Sequence, residues 1–147
     1  MVRFGYIHPC RGNGMSAVAL QDAIVAALLA DAAVSGSVGE RVYDNPPVKV
    51  PYPYISLGPS QVLDDDADCI AAEEHHQQID VWTNEGAAKR GCKAICQAVK
   101  KALHGAEVEL GEGAVVLIEV TDWQAVDDPE EFIAHGIVNV RALVDDV

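Results

Sequence analysis

The side chains of this chain that can ligate, titrate or attack gather in a few places, and each place meets an obstacle in its spacing. Asp64, Asp66 and Asp68 match the first three ligand positions of a calcium-binding helix–loop–helix. Position six of that loop needs glycine and position twelve a bidentate Glu, but Cys69 and His75 stand there, between flanks that read as strands. The run Asp64–Glu74, with Asp64, Asp65, Asp66, Asp68, Glu73 and Glu74, is therefore expected as the solvated loop of a long hairpin. His75 and His76 are adjacent, so on a strand they point to opposite faces and cannot share one metal without distorting it. The His-x-x-x-His and Cys-x-x-Cys spacings of zinc sites do not occur. Four cysteines are present, Cys10, Cys69, Cys92 and Cys96. Cys92 and Cys96 lie one helical turn apart, with Cβ atoms about 5–6 Å from each other, beyond the ~3.5–4.5 Å that a disulfide prefers. They read as buried small hydrophobes. A Cys69–His135 nucleophile pair has no supporting motif, and neither a phosphate loop nor a dinucleotide fingerprint is found. The expectation is a chain without catalytic, cofactor-binding or metal residues.

These groups must be held by a mixture of helices and strands. Ser16 is a candidate N-cap, followed by a helix to about Ala33. Leu20, Ile24 and Leu28 recur on its inner face, and Ser35-Gly36-Ser37 with Gly39 end it. Arg41–Tyr43 is a short extended segment. Pro46-Pro47 and Pro51-x-Pro53 make a link that cannot be helical. Tyr54–Val62 predicts a strand. His75–Thr83 alternates, with Gln77, Ile79, Val81 and Thr83 on one face and Gln78, Asp80 and Trp82 on the other. A second helix, capped by Thr83 or Asn84 and favoured by Glu85, buries Ala88, Cys92, Ile95, Cys96, Val99 and Leu103, and Gly105 stops it. Ala114–Thr121 and Phe132–Val144 predict two closing strands around the turn Asp127-Asp128-Pro129-Glu130. The fold class is α+β in the order α-β-β-β-α-β-β. Two helices are expected on one face of a small antiparallel or mixed sheet.

The length of 147 residues fits one domain. Residues Met1–Gly14 differ from the rest: Gly5, Pro9, Gly12 and Gly14 break regular structure, and the segment holds two Arg and no acid. They read as a flexible arm preceding a domain at 15–147, with Met1 and Met15 both available as the start. The chain has 10 basic and 23 acidic residues, a net charge of −13, and half of its residues are apolar. That apolar share argues against a disordered acidic chain. The charge argues against a nucleic-acid reader and against docking on anionic lipid. The longest apolar run, Ala23–Ala30, is far shorter than the ~20 residues of a membrane span, and no secretory leader is evident.

Half of the ten basic residues, Lys89, Arg90, Lys93, Lys100 and Lys101, sit off the apolar stripe of the second helix. They are either an ordinary solvated face or a docking surface for an acidic patch, such as the acidic loop of an identical neighbour. A head-to-tail contact of that kind builds a ring when its rotation closes. Exposed ion pairs contribute only about 0–1 kcal/mol each, so apolar contacts must supply most of the affinity.

Several short blocks occur in an order that resembles the tail-completion or tail-terminator proteins of long-tailed bacteriophages and phage-derived gene transfer agents. They are Ala19-Leu20-Gln21-Asp22-Ala23-Ile24, Arg41-Val42-Tyr43, Pro51-Tyr52-Pro53-Tyr54-Ile55, His76 leading into Ile79-x-Val81-Trp82, Ala102-Leu103, Asp128-Pro129, Gly136, and Val140-Arg141-Ala142-Leu143-Val144. The resemblance spans Met15 to Val144 and leaves the arm outside. It implies a structural virion protein without cofactor or catalysis. Such a subunit assembles in the bacterial cytoplasm into a hexameric ring that caps the tail tube and joins it to a head-closure or neck protein. DNA would pass the lumen without specific binding, and part of Asp64–Glu74 would face the lumen or an axial partner. The rival readings are another neck or head-closure component, a small acidic enzyme, and a monomeric binding module.

Overall fold

The computed structural model describes residues 16–64, 72–86, 88–110, 114–130 and 132–145. The arm Met1–Gly14 and its proposed boundary at Met15 lie outside them. Three helices and six strands follow the order α1 (Ser16–Ala30), α2 (Ala32–Val38), β1 (Val42–Tyr43), β2 (Tyr54–Asp64), β3 (Ala72–Asn84), α3 (Arg90–Leu103), β4 (Glu107–Leu110), β5 (Ala114–Asp127) and β6 (Ile133–Asp145). The expected α+β class holds, with one helix and one strand more than the sequence suggested.

The extra helix arises at Asp31. The apolar stripe Leu20, Ile24 and Leu28 is buried as expected, but Asp31 leaves the helical conformation at φ −79° and ψ 126°. Its carboxylate accepts the backbone N–H of Val34 at 3.0 Å and so starts a new helix. α2 runs at 84° to the helix before it and buries Val34 and Val38 one turn apart. That burial outweighs the breaker composition of Ser35-Gly36-Ser37, which lies inside α2 instead of ending α1. Gly39, at φ 62°, ends α2, and its N–H reaches the Ser35 carbonyl at 2.8 Å. Asp31→Ala is expected to lower stability by about 1 kcal/mol. A urea denaturation series compared with Asp31→Asn, which keeps a capping oxygen, checks this.

All six strands form one sheet in the order β1-β2-β3-β6-β5-β4. β1 pairs parallel with β2, and every other pairing is antiparallel. Bulges interrupt the β2–β3 register between Leu57 and Ser60 and the β5–β6 register between Val120 and Asp122. Arg41 ties β1 to the proline-rich link by donating from Nε to the Pro53 carbonyl at 2.9 Å, and the Tyr52–Pro53 peptide is cis. β4 was not legible beforehand, being only four residues, Glu107-Val108-Glu109-Leu110, after the Gly105 stop. β5 also runs six residues past the expected end, to Asp127.

The three helices share one face of the sheet. Ile24, Leu28, Val34 and Val38 of α1 and α2 meet Val99 and Leu103 of α3 in one apolar cluster. The sheet contributes Ile55, Ile79, Val81, Val116, Ile118, Val138 and Val140 to it. No single described helix is long and apolar enough to cross a membrane.

Candidate functional site

The opposite face of the sheet carries no helix among the described residues. Alternation sends Glu74, His76, Gln78, Asp80 and Trp82 of β3, and His135, Ile137, Asn139, Arg141 and Leu143 of β6, to this face. Strand pairing then arranges the side chains in rows across the sheet. Tyr54, Trp82, His135 and Val126 make one row, and Ser56, Asp80, Ile137 and Gln124 the next. Beyond the two bulges come Gln61, His76, Arg141 and Glu119, and then Leu63, Glu74, Leu143 and Leu117.

The first of these rows is aromatic. Trp82 stacks on His135 with ring centres 4.0 Å apart and planes 9° from parallel. Tyr54 continues the stack at 6.3 Å from Trp82, and Tyr52 lies 5.3 Å from Tyr54. Polar partners fix the rings: Trp82 Nε1 donates to Ser56 Oγ at 2.9 Å, and His135 Nε2 lies 2.7 Å from Asp80 Oδ1. Gln78 Nε2 donates to the same Asp80 oxygen at 2.8 Å, so this buried carboxylate is satisfied. At the other end Leu63, Leu143 and Leu117 are each about half exposed.

Between the two ends lies a charged network. Arg141 donates from Nε to Glu74 at 2.6 Å and from Nη1 to Glu119 at 3.1 Å. Glu74 also bonds His76 at 3.1 Å, and Asn139 bonds Asp122 at 3.1 Å. The hydrogen bonds from His76 and Arg141 hold the Glu74 carboxyl below the usual glutamate range. A lowered carboxyl contributes stability above the ordinary glutamate value, and that contribution fades as pH falls through its folded-state value. Glu74→Gln is therefore expected to flatten the acid side of the stability profile below about pH 4.3. Denaturation midpoints between neutral pH and pH 3 read this out.

The outward side of α3 differs in charge. Cys92, Ile95, Cys96, Val99 and Leu103 face the sheet. Arg90, Lys93, Lys100 and Lys101 are exposed on the other side. Lys100 and Lys101 lie in the last turn, where the helix dipole favours cations. Lys89 is half-buried and committed within its own chain, its Nζ 2.8 Å from Asp127 Oδ1. The helix starts five or six residues later than its caps suggested, because Thr83 and Asn84 remain in β3. Glu85 still serves the helix start, accepting the N–H of Gly91 at 3.2 Å. Ala88 precedes the helix and is exposed, outside the stripe. Cys92 and Cys96 are free and fully buried. Their mutual hydrogen bond and burial push the Cys96 thiol up.

The acidic run divides on inspection. Asp64 ends β2, and Glu73 and Glu74 belong to β3, so these three are strand residues instead of loop residues. Asp65, Asp66 and Asp68 lie outside the described residues, as do Cys10 and Cys69. His75 and His76 do point oppositely, His75 buried beside Glu73 and His76 half-buried beside Glu74. His135, the other half of the Cys69 pair considered above, is engaged by Trp82 and Asp80. Among the described residues no three His, Cys, Asp or Glu side chains are arranged to hold a metal ion. The aromatic and leucine rows were missed beforehand. Tyr54 and Trp82 stood out by type, but the strand register that aligns them was not readable.

The family described as "Tail completion protein gp17" matches residues 22–145 of the chain. No curated protein matches it. Among solved structures, a chain of the "Virion of native gene transfer agent (GTA) particle" is similar, with a TM-score of 0.80 and 31% sequence identity. The match covers 90% of this chain and 99% of that one.

Proposed function

From the premise that the chain belongs to the tail completion protein gp17 family, we propose that it forms a hexameric ring that caps the tail tube and joins tail to head. The family match and the likeness to a virion chain make it a structural protein of phage tail assembly, with its place in the tail or neck of a phage or gene transfer agent particle. The observation that carries the proposal is the match across residues 22–145, which takes in every described strand. Two surface features support it. One is the open face of the sheet with its aromatic and leucine rows, and the other is the set of exposed cations on the outward side of α3.

In this reading the subunit assembles in the bacterial cytoplasm and acts without catalysis or cofactor. Its partners are other copies of itself, the tail tube protein and a head-closure or neck protein. The basic side of α3, with Arg90, Lys93, Lys100 and Lys101, belongs to the contact between subunits, whereas Lys89, expected with them, is held by Asp127 of its own chain. Part of the run Asp64–Glu74 faces the lumen or an axial partner. DNA carries about one negative charge per ~1.7 Å, and an acidic lining lets it pass without adhesion.

Negative-stain imaging and native mass measurement of the protein, alone and mixed with isolated tail tubes, test the proposal. Six-membered rings of about 94 kDa, six times the 15.6 kDa subunit, seated on tube ends are expected. Tubes that continue to grow and stay bare in its presence would overturn the capping role.

A further inference from the structure

Resting on the ring reading above, we propose that the open face of the sheet is the surface that receives the basic side of α3 from the next copy of the chain. The sheet distributes its charge very unevenly. Glu74, Asp80, Glu107, Glu109, Glu119 and Asp122 point to the open face, whereas Arg141 is the only basic residue in any described strand. Across the thickness of the molecule, α3 turns Arg90, Lys93, Lys100 and Lys101 outward from the helix layer. Each subunit thus has an acidic front and a basic back, an arrangement that complements itself head to tail.

Apolar surface accompanies both charges. The front carries the exposed leucines Leu63, Leu117 and Leu143 and the aromatic row beginning at Tyr54. In the helix layer, Val18 and Leu29 of α1 are 57% and 38% exposed on one side of the helix. They lie eleven residues apart, three turns, and therefore share a face. These groups supply the burial that exposed ion pairs cannot.

The edges of the sheet are the other route to assembly, and they are guarded in part. β1 covers only part of β2, but the remainder of that edge carries a bulge and Pro59, which has no N–H to donate. At the far edge β4 has four residues, with Glu107 and Glu109 exposed. β4 and the turn before it cover β5 only as far as Val120, so residues 121–127 are a further stretch of edge, and it is the charge pattern that selects the faces. A front-to-back contact is heterologous, so repeated rotation generates a ring or a filament and never a closed dimer.

Zero-length carbodiimide coupling of lysine amines to carboxylates, on oligomers mixed from isotopically light and heavy copies, tests the pairing. Light–heavy peptides joining Lys93, Lys100 or Lys101 to Glu107, Glu109, Glu119 or Asp122 are expected. The variant Lys93→Glu/Lys100→Glu is expected to raise the midpoint concentration for ring assembly about tenfold. Glu107→Lys/Glu109→Lys is expected to do the same, and mixing the two variants restores mixed rings. All four positions are exposed, and unchanged thermal melts establish that each variant is folded. Rings that form normally in both variants, or α3 lysines that couple elsewhere on the neighbour, overturn this pairing and leave the ring itself standing. A wild-type chain that never oligomerises, even on tail tubes, overturns both.

Discussion

Gly136→Ala should lower stability by about 1–3 kcal/mol, and Gly136→Val by more. Gly136 lies on β6, where the strand passes beneath α3. A Cβ there would stand 2.4 Å from Cys96 Sγ, 3.0 Å from Cys92 Sγ and 3.1 Å from Val81 Cβ. The glycine is required for space, since its backbone is not in the left-handed region. The two cysteines are the knobs that fill the gap above it, which gives these buried thiols a packing role. Room for the methyl comes from turning the Cys96 side chain or from lifting α3, and lifting would loosen Ile95 and Val99 as well. Cys96→Ala removes the nearest atom, so Gly136→Ala in that background should recover much of the loss. A coupling of about 0.5–3 kcal/mol in the double-mutant cycle is expected. Urea midpoints of the four proteins measure it, and an additive cycle would mean that α3 moves away freely.

The second large effect contrasts the two sides of the sheet. Ile79 is fully buried in β3 between Leu57 of β2 and Val138 of β6. Ile79→Ala removes packed methyl groups and leaves a cavity, at about 2–5 kcal/mol. Against the roughly 5–15 kcal/mol that stabilises a domain, that is a substantial fraction. Leu117 is 51% exposed on the open face of the same sheet. Leu117→Ala should change the stability of the isolated subunit by no more than about 0.5 kcal/mol. Denaturation curves for the two variants, with unchanged slopes, are the comparison. Equal losses would contradict the division into a packed side and an open side.

Elements whose pattern is local were legible in the sequence. Leu20, Ile24 and Leu28 repeat on one side of a helix, and Gln77, Ile79, Val81 and Thr83 alternate along a strand. Both are buried where that spacing places them. The resemblance to tail-completion proteins was likewise carried by short blocks such as Pro51-Tyr52-Pro53-Tyr54-Ile55, and the family match agrees with it. What depends on competition between local choices was harder to read. Apolar periodicity continues past Asp31, and only the capping bond to Val34 reveals that the helix turns there. Thr83 and Asn84 are good caps by type, yet their backbone is committed to β6, opposite Ala134 and Ile133. The acidic run looked like loop because acids prefer solvent. Glu74 instead stays in the sheet because Arg141 and His76 meet it there. The open face was the least visible feature. Its rows combine four strands, and two bulges shift the alignment.

The position of β6 bears on how the chain reaches this state. It lies between β3 and β5 and completes the middle of the sheet, yet it follows every other described strand in sequence. On a ribosome the earlier strands emerge first and wait with their pairing edges open, since β3 meets β6 only after α3, β4 and β5 have been made. Such distant pairing slows folding, toward the millisecond-to-second range of sheet-dominated proteins, about a thousandfold beyond small helical ones. The central strand is therefore the last of the described strands to be made and the one that closes the sheet. The ordered rows of the open face and the bed beneath α3 are complete only once it docks.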